Sequence, residues 1–186
     1  MVVELGISPR PLYHSSLACG WRGYDSITGG AHLDITGTFT IPAPRERVWE
    51  ALNDVDTLKS CIPGCLELRK VTETELEAKL QSKIGPVKTT FNSKLTLSDR
   101  VAPESYVLSG EGKGGAAGFA RGSASVRLST CDEGTLLEYS AEIKVGGKIA
   151  QVGSRLLDGT ARKLSGEFFG NFAEAMKDNS GQGGSQ

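Results

Sequence analysis

Lys148 to Ala175 reads KIAQVGSRLLDGTARKLSGEFFGNFAEA, and here the apolar spacing changes from every second residue to every third or fourth. Ile149, Val152, Leu156, Thr160, Leu164, Phe168, Asn171 and Ala175 form one stripe, with Arg155, Arg162, Lys163, Glu174 and Lys177 mostly off it. That spacing predicts a helix of about 28 residues, about 42 Å long. Gly153, Gly159, Gly166 and Gly170 lie within it, and each weakens a helix by up to about 1 kcal/mol relative to alanine. They are expected to admit close packing of a sheet or to leave room for a ligand.

Upstream of this segment the period is 2. Ile35, Gly37, Phe39 and Ile41 alternate with Asp34, Thr36, Thr38 and Thr40, which predicts a half-buried strand starting at Asp34. Pro42-Ala43-Pro44 ends it and opens a helix carrying Val48, Ala51, Leu52 and Val55; a second short helix follows over Asp54 to Ser60, closed by Ile62-Pro63-Gly64. Leu76 to Ile84 and Val87 to Leu97 alternate again across the turn Gly85-Pro86. Tyr106 and Leu108, Ala120 to Leu128, and Leu137 to Val145 supply further strands. The order predicts an α+β fold: a strongly curved antiparallel sheet of about six or seven strands around a long C-terminal helix, with two short helices after the first strand. Sheet and helix would enclose a cavity.

The chain of 186 residues, 38% hydrophobic and 23% charged, has the balance of one globular domain. At that length neither disulfides nor a structural metal are required for stability. A net charge of -1 leaves no basic footprint for nucleic acid, and no run approaches the roughly 20 apolar residues of a membrane span. Residues 1–33 show neither period and are expected to be a poorly ordered extension. Their prolines interrupt any secretory signal, and SLAC at Ser16 to Cys19 lacks the apolar run of a lipoprotein signal. The domain is assigned to residues 34–177 and a flexible tail to 178–186, with a cytoplasmic location. Both histidines, His14 and His32, fall in the extension, so the domain is expected to lack an imidazole.

Gly110 to Gly115 contains G-x-G-x-x-G, but strands are predicted on both sides, whereas a dinucleotide loop must open a helix. It also fails as a phosphate loop, because Gly114 follows Lys113 where Ser or Thr is needed. The glycines are expected to let strands curl, or to bring backbone close to a ligand. Cys61 and Cys65 flank Ile-Pro-Gly; with only Cys131 beside them in the domain, a tetrahedral zinc site is not expected, and both read as small apolar residues at a tight turn.

The runs ITGTFTIPAPRERVWEALND (35–54), CIPGC (61–65), IGPVKTTF (84–91), LSGEGKGGAAGFARGSA (108–124) and VGGKIAQVGSRLLDGTARKL (145–164) closely resemble the carbon monoxide dehydrogenase G subunit (CoxG) family. That family belongs to the START-like, helix-grip superfamily called SRPBCC. The resemblance runs collinearly from Asp34 to about Met176. Family members commonly begin with a methionine just before the first strand, where this chain has Leu33, so the resemblance implies an upstream start for residues 1–33.

It also implies a non-catalytic accessory protein holding a hydrophobic small molecule, a respiratory quinone, without a covalently bound cofactor. The implied partner is a molybdenum carbon monoxide dehydrogenase or related molybdenum hydroxylase, with peripheral association at the inner face of the cell membrane. The expected lining is Phe91, Leu95, Tyr106, Phe119, Tyr139, Val152, Leu156, Leu157, Thr160, Leu164, Phe168 and Phe172, with Gly112, Gly114, Gly115 and Gly118 as pocket wall or turn. Such a cavity suits a flat apolar molecule with a polar edge. Glu111, Asp158 and Glu167 are the nearest candidates for acid or base work, yet none pairs with a recognisable nucleophile. A small cyclase or hydrolase, and a recruitment factor without ligand, remain as alternatives, since fold alone does not decide function.

Overall fold

The computed structural model describes residues 30–178; the expectations for residues 1–29 and 179–186 lie outside them. Strand β1 (Ala31–Ile41) leads into helices α1 (Arg45–Asn53) and α2 (Val55–Cys61). Strands β2 (Cys65–Lys70), β3 (Glu75–Ile84), β4 (Val87–Val101), β5 (Ser105–Lys113), β6 (Phe119–Cys131) and β7 (Gly134–Gly146) follow, and α3 (Ser154–Asp178) ends the described chain. The strands form one antiparallel sheet in the order β1-β7-β6-β5-β4-β3-β2. This is the α+β architecture that the alternation of periods predicts and the helix-grip fold that the resemblance implies, with α3 packed against the sheet and α2.

The first strand begins earlier than expected. Ala31, His32 and Leu33 pair with Val145, Lys144 and Ile143, and Leu33 is only 6% exposed, so these residues belong to the folded unit and not to the extension. His32 thereby enters the fold, which corrects the expectation of a domain without imidazole; its side chain lies on the wet side of β1, 3.5 Å from Asp34. Strand β2 carried no alternation signal because its register shifts between Cys65 and Glu67, turning Leu66 outward while Leu68 is buried.

The long helix is shorter than its sequence pattern. Lys148–Val152 forms a 3₁₀ turn, and Gly153 at φ +95° separates it from the 25 residues of α3. Helix α2 is fixed at both ends. The Asp54 carboxylate accepts from the Thr57 N–H at 2.8 Å, and hydrogen bonding from Thr57, through its side chain first and its N–H second, holds the Asp54 pKa below the usual carboxylate value. At the other end Asn171 of α3 donates to the Cys61 carbonyl at 3.0 Å.

Buried side chains fall into two clusters rather than one. Ile41, Val48, Trp49, Leu128, Leu137, Phe172 and Met176 pack beneath α1 and the end of α3. Leu33, Phe91, Ala117, Val145, Ile149 and Leu157 pack near the glycine turns. Between the clusters the interior is hollow.

Candidate functional site

The hollow is a cavity of about 600 Å³, within the range that takes a drug-sized molecule. Its size follows from the residues that face it. Gly110 and Gly112 of β5, Ala120, Gly122 and Ala124 of β6 and Ala141 of β7 put the smallest side chains where strand alternation points inward beneath α3. Larger side chains form the walls: Leu76, Leu80 and Ile84 from β3, Phe91, Leu95 and Leu97 from β4, and Leu137, Tyr139 and Ile143 from β7. Leu52, Leu58 and Ile62 close the end beside α1 and α2, while Leu157, Thr160, Ala161, Leu164, Ser165, Phe168 and Phe169 form the roof.

Nine of the residues expected from the sequence border this space: Phe91, Leu95, Tyr106, Tyr139, Leu157, Thr160, Leu164, Phe168 and Gly112. The others are placed elsewhere. Leu156 is 41% exposed and faces the β3–β4 turn, where a Cβ on Gly85 would come 2.6 Å from its Cδ2. Val152 packs against the Leu33 and Ile149 cluster, and Phe172 is wholly buried in the cluster beneath α1. Phe119 alternates to the outside of β6, where its ring lies under the Arg121 guanidinium at 5.9 Å.

Among the expected wall glycines, Gly114, Gly115 and Gly118 lie in the turn between β5 and β6, outside the lining. Gly118 at φ +117° sits so close to the Gly146 carbonyl that a side chain would collide with it, which joins that turn to the end of β7. Gly114 supports the wall from behind, since a Cβ there would meet the Phe91 ring at 2.9 Å.

The misplaced Leu156 has a geometric cause. Residues four apart in an α-helix advance by about 400°, so a row of i+4 steps drifts by about 40° at each step. Val152, Leu156, Thr160, Leu164 and Phe168 are such a row. The inward face of α3 takes mixed steps of three and four from Leu157 through Thr160, Ala161, Leu164, Ser165, Phe168 and Phe169, and Leu156, near the start of the i+4 row, falls off its edge. Phe169, absent from the sequence expectation, stacks on Phe39 at a centroid distance of 4.3 Å and on Tyr139 at 5.4 Å.

The three carboxylates considered for acid or base work pair with cations on the solvent side. Glu111 pairs with Lys113 at 3.7 Å, Asp158 with Arg162 at 2.9 Å and Glu167 with Lys163 at 3.7 Å, exposed contacts worth little individually. None is aligned with a nucleophile. Cys61 is buried in the core, and burial pushes the Cys65 thiol up, away from the reactive thiolate. Among the described residues no three His, Cys, Asp or Glu side chains gather as metal ligands. Tyr106 stands apart. Its ring meets Trp49 edge to face at 5.7 Å, and burial pushes its hydroxyl up to about 12.

A family model described as the carbon monoxide dehydrogenase G subunit (CoxG) matches residues 37–177. The crystal structure of a conserved protein from Geobacillus kaustophilus is similar with a TM-score of 0.74 and 33% identity, covering 78% of this chain and 96% of that one. The Zhui aromatase/cyclase from Streptomyces sp. R1128 is similar at a TM-score of 0.58 and 15% identity, covering 84% and 99%. Ara h 8.0201 is similar at 0.55 and 13%, covering 81% and 99%. The last two share the fold alone. Among curated proteins none matches the chain.

Proposed function

The chain belongs to the carbon monoxide dehydrogenase G subunit (CoxG) family, and from that premise we propose that it is a non-catalytic carrier of a hydrophobic quinone. In this role it couples or recruits a molybdenum carbon monoxide dehydrogenase to the respiratory chain at the membrane. The observation that carries the reading is the cavity itself: about 600 Å³, walled by aliphatic and aromatic side chains, with no acid and base arranged around a shared point. The redox chemistry belongs to the enzyme's cofactors and to the quinone. The protein contributes burial and orientation.

The charge distribution supports a place at the membrane surface. No helix among the described residues is long and apolar enough to cross a bilayer, so the contact proposed is peripheral. Lys83, Lys88, Lys113, Lys144, Lys148 and Arg155 are all exposed at the end of the sheet where β3 turns into β4, β5 into β6 and β7 toward α3. The half-exposed Leu156 is among them. At the opposite end Glu73, Glu75, Asp99, Glu104, Asp132 and Glu133 are exposed or half-buried. A basic end with an apolar contact fits an anionic lipid surface.

Purification without detergent, native mass spectrometry and solvent extraction test the proposal. A released quinone is the expected result. Conversion of an added polyketide to a cyclised product would favour the cyclase alternative, and an empty cavity in every preparation would favour a recruitment factor.

A further inference from the structure

Tyr106 lines the cavity near α1, and its hydroxyl makes no hydrogen bond among the described residues. The side chain is half-buried and its hydroxyl is open to the hollow, where a bound molecule can supply the partner that the protein does not. Here the accessible part of the side chain faces the hollow, and the Trp49 edge fixes the ring. We propose that the Tyr106 hydroxyl donates a hydrogen bond to a carbonyl oxygen of the bound molecule, so that the cavity selects flat, neutral carbonyl compounds and seats their polar end beside α1. The inference rests on the reading of the cavity as a ligand site.

The surroundings decide the class of ligand. The perturbation of Tyr106 comes from burial and from no neighbouring charge, so the hydroxyl stays protonated and can donate throughout the physiological range. An anionic head group at that end would be buried without a counter-charge. Two other hydroxyls of the lining are differently placed. Thr160 already donates to the Leu156 carbonyl at 2.8 Å, and the Tyr139 ring stacks on Phe169 with its hydroxyl over Gly37.

The test compares 2-methyl-1,4-naphthoquinone with 2-methylnaphthalene, the same skeleton without carbonyls, and with decanoate. The wild-type chain is expected to bind the naphthoquinone more tightly than either. Tyr106→Phe, which keeps the ring, should weaken naphthoquinone binding about tenfold and leave methylnaphthalene unchanged. The bound carbonyl stretch should lie at lower frequency in wild type and return to its apolar-solvent value in the variant. The increment attributable to Tyr106 should be flat from about pH 6 to pH 9, below the titration of the hydroxyl.

Equal loss of both ligands, an unchanged naphthoquinone affinity, or tighter binding of decanoate would overturn the proposal while leaving the cavity reading in place. A wild-type chain that binds neither naphthoquinone nor methylnaphthalene would overturn both. The carbonyl frequency in the wild-type complex decides the matter even if the variant were unstable.

Discussion

The ring of Tyr139 lies over Gly37, its directly paired neighbour across β1 and β7: a Cβ on Gly37 would approach ring Cε1 at 2.5 Å and the hydroxyl oxygen at 2.8 Å. Glycine weakens a strand because it has nothing to pack, and here an aromatic ring from the adjacent strand covers the gap. The same ring is a wall of the cavity and is stacked on Phe169. The glycine therefore sets where the wall stands.

Gly37→Ala tests that dependence. With Phe169 stacked against it at 5.4 Å and Phe39 at 6.3 Å between centroids, the ring has little freedom to move aside, so the added methyl pushes it toward the hollow. Unfolding by denaturant should show a loss of about 1 to 3 kcal/mol, the usual consequence of overpacking, together with weaker binding of a fluorescent apolar probe. A variant as stable as wild type with unchanged binding would mean that Tyr139 is not positioned by Gly37.

Filling the cavity from the helix discriminates the two possible faces of α3. Leu164 borders the hollow, whereas Leu156 is 41% exposed beside the β3–β4 turn. Leu164→Trp should place its indole in the void, changing stability by less than about 1 kcal/mol while abolishing probe binding; in a close-packed interior the same change would destabilise by roughly 1 to 3 kcal/mol. Leu156→Trp should leave both properties as they are. Loss of probe binding in Leu156→Trp would restore Leu156 to the lining read from the sequence, and normal binding in Leu164→Trp would remove Leu164 from it.

Much of this architecture was legible because two periods carry it. Alternation at Ile35 to Ile41, Leu76 to Ile84 and Leu137 to Val145 marks strands with one buried face, and its replacement by helical spacing near Lys148 marks the closing helix. The same reasoning failed where a local break resets the phase. The bulge at Cys65 and Glu67 hid β2, and Gly153 reset the helix before Leu156. At the site, alternation separates Phe91 and Leu95 from the wet face, and it also sets Phe119 on the face opposite Ala120 and Ala124, so the expectation of Phe119 in the lining ran against it. No one-dimensional pattern could show that Lys83, Lys113 and Lys148 share one end, because turns from distant parts of the sheet bring them there.

The glycines of α3 have a different role from the one their number suggested. Gly159, Gly166 and Gly170 lie on one outward line, and a Cβ on any of them would meet nothing within 4 Å. They neither admit the sheet nor make room for the ligand. Replacing all three by alanine should therefore raise stability by roughly 0.5 to 1 kcal/mol per site, visible as a rise of several degrees in Tm, with probe binding intact. A lower Tm would show that these positions are packed within the fold and not open.

The charged end of the sheet makes the membrane part of the proposal measurable. If Lys83, Lys88, Lys148 and Arg155 contact anionic lipid, each contributes about 1 kcal/mol near the surface, and the attraction weakens as salt shortens the Debye length. The protein should sediment with vesicles containing phosphatidylglycerol, not with phosphatidylcholine alone, and should be released as salt is raised. Changing these four residues to Gln should lower partitioning by about two orders of magnitude or more on that scale. Lys70→Gln with Arg100→Gln, which removes two positive charges at the opposite end, should leave partitioning unchanged. Equal sedimentation with both kinds of vesicle, or a quadruple variant that partitions like wild type, would remove the basic end from any role in membrane contact.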